Sequence, residues 1–134
     1  MFKIFICHLF IFLATVNSCS KCKNVYSGKF FYEYGNSKIF IDRTNDYQIS
    51  KIVVNNQTKR VIYESIKWVD SCTYITMYDF SKMKEEDLLV DINYNGGMKT
   101  EIIGFENDCY YYKKTFKLWG EEKIEEGKIC PSKE

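Results

Sequence analysis

The residues able to do chemistry are few, and what is missing narrows the field first. The only histidine, His8, falls within residues 1–18, which read as a removable leader. Without an imidazole, Ser-His-Asp and Cys-His schemes lack their general base, and most zinc hydrolase sites lose a ligand. No catalytic residue is assigned on this reading, and no enzyme is expected. Carboxylates remain, in Glu85-Glu86-Asp87 and in Glu121-Glu122 with Glu125-Glu126. Both runs fall where turns or strand ends are expected, so solvated charge is their ordinary state. A carboxylate-dependent enzyme would need two acids converging inside the fold. Gly96-Gly97 lacks the Lys-Ser/Thr that follows a phosphate cradle and reads as a chain reversal. Tyr110-Tyr111-Tyr112 could stack bases or sugars, but on a strand Tyr110 and Tyr112 share one face and Tyr111 takes the other. Core packing is the expected role of that pair.

Cysteine chemistry is the next candidate. Beyond the leader lie Cys19, Cys22, Cys72, Cys109 and Cys130. Cys19-Ser20-Lys21-Cys22 has bare CxxC spacing, yet no second such pair, no histidine and no βαβ context accompanies it, so neither zinc nor thioredoxin-like chemistry is expected. No metal or cofactor is assigned. The four cysteines after Cys19 read as two disulfides, for which three connectivities exist. A reversal at Gly120 sets Cys109 opposite Cys130 at the open end of the last hairpin. By elimination Cys22 pairs with Cys72. Bridges closing loops of these lengths stabilise a small domain by about 3 kcal/mol or somewhat more.

Their formation requires an oxidising compartment, and the N-terminus supplies the route. Lys3 precedes an apolar run from Ile4 to Val16, about thirteen residues and too short for the roughly 20 that span a hydrocarbon core. Residues 1–18 therefore read as a bacterial-type signal peptide. Val16-Asn17-Ser18-Cys19 resembles a relaxed lipobox, making Cys19 the expected lipid-attachment residue. Plain secretory cleavage near Ser18 is the alternative. Each buried acyl methylene contributes about 0.8 kcal/mol, so an acylated Cys19 would anchor the domain to a membrane. An exported protein on the bacterial envelope follows, with the periplasmic side favoured because Ser20 and Lys21 are not acidic.

Residues 19–134 read as one domain, with 19–27 as an N-terminal tether. Loss of Lys3 leaves 18 basic residues against 18 acidic ones. A near-neutral domain without a basic run lacks the patch that phosphate backbones require, so nucleic acid is not an expected partner. Tyrosine, phenylalanine, isoleucine and valine alternate with polar residues between recurring turn signals. The pattern predicts strands over Lys29 to Tyr34, Lys38 to Arg43, Tyr47 to Val54, Lys59 to Val69, Thr73 to Phe80, Leu88 to Tyr94, Lys99 to Glu106, Tyr110 to Leu118 and Glu122 to Ile129. Residues 81–87 form a charged loop. A two-residue turn at Asn107-Asp108 would face Phe105 with Tyr110, Ile103 with Tyr112 and Glu101 with Lys114. So many short strands without covering helices predict an all-β fold, a single antiparallel meander closed into a small barrel of about 8–9 strands. A two-sheet β-sandwich is the alternative. Tyr32, Tyr34, Tyr63, Trp68, Tyr110, Tyr112 and Phe116 are the expected lining of the core or of a ligand site.

Three segments, CKNVYSGKFFYEY from Cys22, IDRTNDYQIS from Ile41 and IKWVDSCTYITM from Ile66, carry a resemblance. In order they give Gly-x-Phe-x-Tyr, Arg-x-x-x-x-Gln and Trp-x-x-x-Cys-x-Tyr, a pattern that resembles a family of small exported Bacteroidetes-type lipoproteins without an assigned activity. Some proteins of similar appearance carry the name DNA topoisomerase IV. That activity needs a basic DNA-gripping domain and an ATPase fold, and a neutral domain of this size offers neither. GKFFYEY is also similar to the opening strand of lipocalin-like barrels, which implies a binding module. The expected function is thus a non-enzymatic envelope lipoprotein that binds a small apolar ligand or an envelope partner. The alternative is a fully packed, disulfide-stabilised structural or inhibitor-like domain.

Overall fold

The computed structural model describes residues 21–133; the leader and Cys19 lie outside the described residues. Eight antiparallel strands run β1 (Gly28–Tyr34), β2 (Ser37–Arg43), β3 (Tyr47–Val54), β4 (Gln57–Asp70), β5 (Thr73–Tyr78), β6 (Met98–Glu106), β7 (Cys109–Leu118) and β8 (Glu121–Pro131). They follow one another around a closed barrel, with β1 meeting β8. Strand alternation explains the closure. On β2, Ile39, Ile41 and Arg43 are buried while Lys38 and Asp42 face outward. A continuous inner face of this kind has nothing to pack on but itself.

The turns set the register. Asn55-Asn56, Asn107-Asp108 and Trp119-Gly120 all have positive φ at both positions, the geometry that matches strand twist in two-residue hairpins. Leu118 faces Glu121 across the last turn, and Tyr110 faces Ile129 near the far end of the same hairpin. Cys109 and Cys130 are thereby joined with Cα atoms 4.1 Å apart, and Cys22 is joined to Cys72 at 5.3 Å. Both bridges have the expected connectivity.

Three local expectations need correction. Leu88 to Tyr94 is not a strand but lies in a helix, α1 (Asp87–Tyr94), so the barrel has eight strands. The run Leu-Leu-Val-Asp-Ile fits either period. What selects helix is the acidic residue Asp87 in the first turn, the burial of Leu89 and Ile92 three apart, and the break at Gly96-Gly97. Gly97 has φ +84°, and a Cβ there would lie 2.4 Å from the Thr76 carbonyl oxygen. Between β6 and β7, Phe105 faces Tyr110 as expected, but a bulge then pairs Ile102 with Tyr112 and Glu101 with Lys113. The bulge turns Ile102 onto the core cluster and leaves Ile103 exposed. The segment expected as a tether is also not one from Cys22 onward. A 3-10 turn over Lys23–Val25 docks against the barrel, with Cys22 and Val25 buried.

The two ends of the barrel differ. Both disulfides, the 3-10 turn and the ends of β2, β4, β6 and β8 gather at one end, the floor. Hairpin tips at residues 35–36, 55–56 and 119–120, together with α1, surround the other end, the mouth. The β1–β8 ladder comprises Phe30 with Pro131 and Phe31 with Cys130, whereas β7–β8 is paired from Tyr110–Ile129 to Leu118–Glu121. The seam is therefore stitched at the floor and unpaired toward the mouth.

Candidate ligand-binding site

Arg43 ends β2 in phase with Ile39 and Ile41, so the pleat that buries those two carries its guanidinium into the floor. It is 2% exposed. Its Nε donates to Gln48 Oε1 (3.0 Å), Nη1 donates to the Val25 carbonyl (3.1 Å) and Tyr110 hydroxyl (3.2 Å), and Nη2 donates to the Tyr74 hydroxyl (3.2 Å). The Phe30 and Tyr74 rings lie 5.2 and 4.9 Å from the guanidinium carbon. Burial disfavours the cation, but the oxygens of Tyr74 and Tyr110 outweigh it and hold Arg43 above its ordinary pKa. Gln48 Nε2 in turn donates to Glu64 Oε2 at 2.6 Å. A cation on β2 and a carboxylate on β4 are thus joined through an amide, which spares both the cost of isolated buried charge.

Trp68 seals this end from outside, its ring tilted against those of Tyr26 (centroids 3.9 Å apart) and Tyr74 (4.8 Å), with its indole N–H donating to the Asn45 carbonyl (3.1 Å). Phe30, Arg43, Gln48, Trp68, Cys72 and Tyr74, drawn from the three segments that carry the resemblance, assemble here into one plug. The plug is a structural device. Most of its polar groups are spent on one another.

A cavity of about 320 Å³ runs from the inner side of the plug, where Arg43, Gln48 and Tyr74 line it, to Leu88 and Leu118 near the mouth. Ile39, Ile52, Ile62, Leu88, Ile92, Phe116 and Leu118 supply an apolar wall, and α1 contributes through Leu88 and Ile92. Interleaved with them are Tyr32, Glu64, Tyr78, Thr100, Tyr112, Lys114 and Glu125. Several of these are under-satisfied. Lys114 has Glu125 Oε1 as its ion-pair partner at 4.0 Å, beyond hydrogen-bond length. The Thr100 hydroxyl, on the residue directly opposite Lys114 across the β6–β7 ladder, is buried without a partner. Glu64 is 5% exposed and receives one hydrogen bond, from Gln48, which leaves Oε1 open.

The electrostatics follow from enclosure. Lys114 lines the cavity and is half-buried. Desolvation disfavours its charge, and Tyr32, Glu125 and Glu64 more than offset that, holding its pKa above the ordinary value. Burial pushes the Tyr32 and Tyr78 phenols up, and for Tyr112 the Glu125 carboxylate adds to burial. Tyr112 donates to Glu125 Oε1 at 2.8 Å. It can do so because residue 127, its neighbour on β8, is glycine: a Cβ there would lie 2.9 Å from the Tyr112 hydroxyl.

A side cleft of about 180 Å³ at the unpaired seam is lined by Tyr32, Tyr34, Ser37, Ile39, Ile52 and Glu125. Tyr32, Ile39, Ile52 and Glu125 also line the main cavity, so cleft and cavity share a wall.

Of the expected lining, Tyr32, Tyr112 and Phe116 face the cavity. Tyr110 is wholly buried in the floor, and Trp68 caps it. Tyr34 does not line the core: at the end of β1 it is 67% exposed beside the side cleft. Tyr63 is also corrected, because Ile62 and Glu64 point inward and the pleat turns Tyr63 out. The sequence reading missed Arg43, Gln48, Glu64, Lys114 and Glu125 as interior groups. A signal existed for three of them. Arg43 is in phase with Ile39 and Ile41, Glu64 with Ile62 and Ile66, and Lys114 with Tyr110, Tyr112 and Phe116.

Among the described residues no group of three His, Cys, Asp or Glu side chains is placed to hold a metal ion, and no helix is long and apolar enough to cross a membrane. No family model, curated protein or solved structure matches the chain.

Proposed function

We propose that the domain is a non-enzymatic binding protein whose barrel holds one small amphipathic molecule, and that an acylated Cys19 tethers it to the bacterial envelope. The observation that carries the reading is the cavity of about 320 Å³, within the range of small-ligand sites, whose mostly apolar wall is broken by under-satisfied polar groups. A fully packed structural domain would fill that space. The purely apolar ligand expected from sequence is replaced by an amphipathic one for an energetic reason. Hydrocarbon would strip water from Lys114 and Glu64 and return nothing, at roughly 1–3 kcal/mol per orphaned group.

The anchor geometry supports the same reading. Cys22 is fixed in the floor by Cys72, and a span of three residues reaches at most about 10 Å. A lipid on Cys19 would therefore hold the floor toward the membrane and the mouth away from it. Tyr34, Tyr94 and Trp119, all well exposed, lie on that outward end and suit a ligand donor or an envelope partner.

The test is displacement of a fluorescent fatty amine or fatty acid from the purified domain, repeated with Ile62→Trp to fill the cavity. Saturable binding abolished by Ile62→Trp supports the proposal. Binding indifferent to that substitution places the probe elsewhere and rejects it.

A further inference from the structure

The cavity presents both signs of charge, on separate walls, and each is short of partners. On β7, Lys114 has an ammonium 4.0 Å from its nearest carboxylate, beside the orphaned Thr100 hydroxyl. On β4, Glu64 keeps one carboxylate oxygen open while Gln48 holds the other. Arg43 also lines the cavity, but four of its five N–H donors are taken by Gln48, Val25, Tyr74 and Tyr110. Glu125 is held at Oε1 by Tyr112, and its side chain is 31% exposed, so water serves its other oxygen, whereas Glu64 is buried. Among the charged groups of the lining, Lys114 and Glu64 are thus the opposite pair least served by the protein.

A lone anion would satisfy Lys114 but leave Glu64 without a partner and face Glu125, whose Oε1 lies 4.0 Å from the Lys114 ammonium. A lone cation would meet Glu64 yet leave Lys114 desolvated, and Lys114 keeps its proton in this setting. Only a ligand carrying both charges meets both needs without burying a net charge, and charge-assisted hydrogen bonds are the stronger kind. The rest of the wall, from Ile52 and Ile62 to Phe116 and Leu118, is apolar and wide enough for a bulky side chain.

We infer that the barrel binds a zwitterionic α-amino acid with a large apolar side chain, its carboxylate on Lys114 and Thr100 and its ammonium on Glu64. This rests on the cavity being a ligand site, and the experiment separates the two ideas.

Calorimetric titration of the disulfide-intact domain with L-phenylalanine, phenethylamine, hydrocinnamate and phenethyl alcohol removes one charge at a time from a constant ring. L-Phenylalanine should bind, and each singly charged analogue should bind at least about tenfold more weakly, the loss expected for one charge-assisted hydrogen bond. Lys114→Met should abolish the preference for L-phenylalanine over phenethylamine, and Glu64→Gln its preference over hydrocinnamate. The analogue series in the unmodified protein stands even where a variant fails to fold. If phenethylamine, hydrocinnamate or phenethyl alcohol binds as tightly as L-phenylalanine, the zwitterion assignment is wrong and the cavity remains a ligand site. If none of the four binds, this inference fails, and the fluorescent-probe displacement then decides the cavity reading separately.

Discussion

Replacing Arg43 by methionine would leave Gln48 and Glu64 buried without the cation they are organised around, and the hydroxyls of Tyr74 and Tyr110 without their donor. Losses of this type destabilise by about 3–5 kcal/mol. Arg43→Lys should fail as well, because an ammonium cannot reproduce a planar fork stacked between Phe30 and Tyr74. Urea unfolding of both variants checks this; stability within about 1 kcal/mol of the parent would contradict the role given to the floor. At this scale the cysteine pairing was legible because the reversal at Gly120 sets Cys109 opposite Cys130 and leaves Cys22 for Cys72. The interior charges were not, since a charged residue on a strand ordinarily points to solvent. Only its phase with the apolar side gives it away. Tyr63 shows the converse: an aromatic residue out of phase is outside however well its type suits a core.

Among the elements, α1 with its Gly96-Gly97 exit is the most exacting. Gly97→Ala forces a Cβ against the Thr76 carbonyl at a positive φ, so it should destabilise by more than about 1 kcal/mol, whereas Gly35→Ala, with open space around it, bears only the backbone penalty. Thermal melts of the two variants compare them directly, and equal shifts would mean that α1 is not pinned to β5 as described. The β6–β7 bulge makes a second test. Ile103→Thr should be nearly neutral, and Ile102→Thr should cost more, because the bulge gives the core contact to Ile102. Most strands could be read from alternation and turn residues. The helix could not, because a seven-residue apolar-rich run satisfies both periods. The bulge was not read either, although Gly104 inside the strand marks where the register shifts.

For the molecule as a whole, closure was foreseeable from many short strands and no covering helices, while the hollow interior was not. Volume depends on how large side chains tilt, and Tyr110 and Tyr112 turn toward the floor and toward Glu125 instead of filling the centre. The tyrosines also set the pH limit of the fold. Burial and the Asp79 hydrogen bond push Tyr47 up to about 12, and burial raises Tyr32, Tyr78, Tyr110 and Tyr112 in the same direction. These phenols hold their protons more tightly folded than unfolded. Their stabilisation is therefore complete below about pH 10, the unfolded value, and is lost progressively as pH rises above it, for Tyr47 as pH passes about 12. Phenolate absorbance and circular dichroism should then change together above pH 10; full tyrosine ionisation in a barrel that keeps its dichroism would contradict the burial described.

The most direct test of a hollow, ligand-holding barrel is native mass spectrometry of the protein taken from its own envelope. The account predicts a lipid-modified Cys19, four oxidised cysteines and one small non-covalent adduct that Ile62→Trp removes. A protein that leaves the envelope with an empty barrel, and whose mass is the same with or without the tryptophan apart from that substitution, would contradict it.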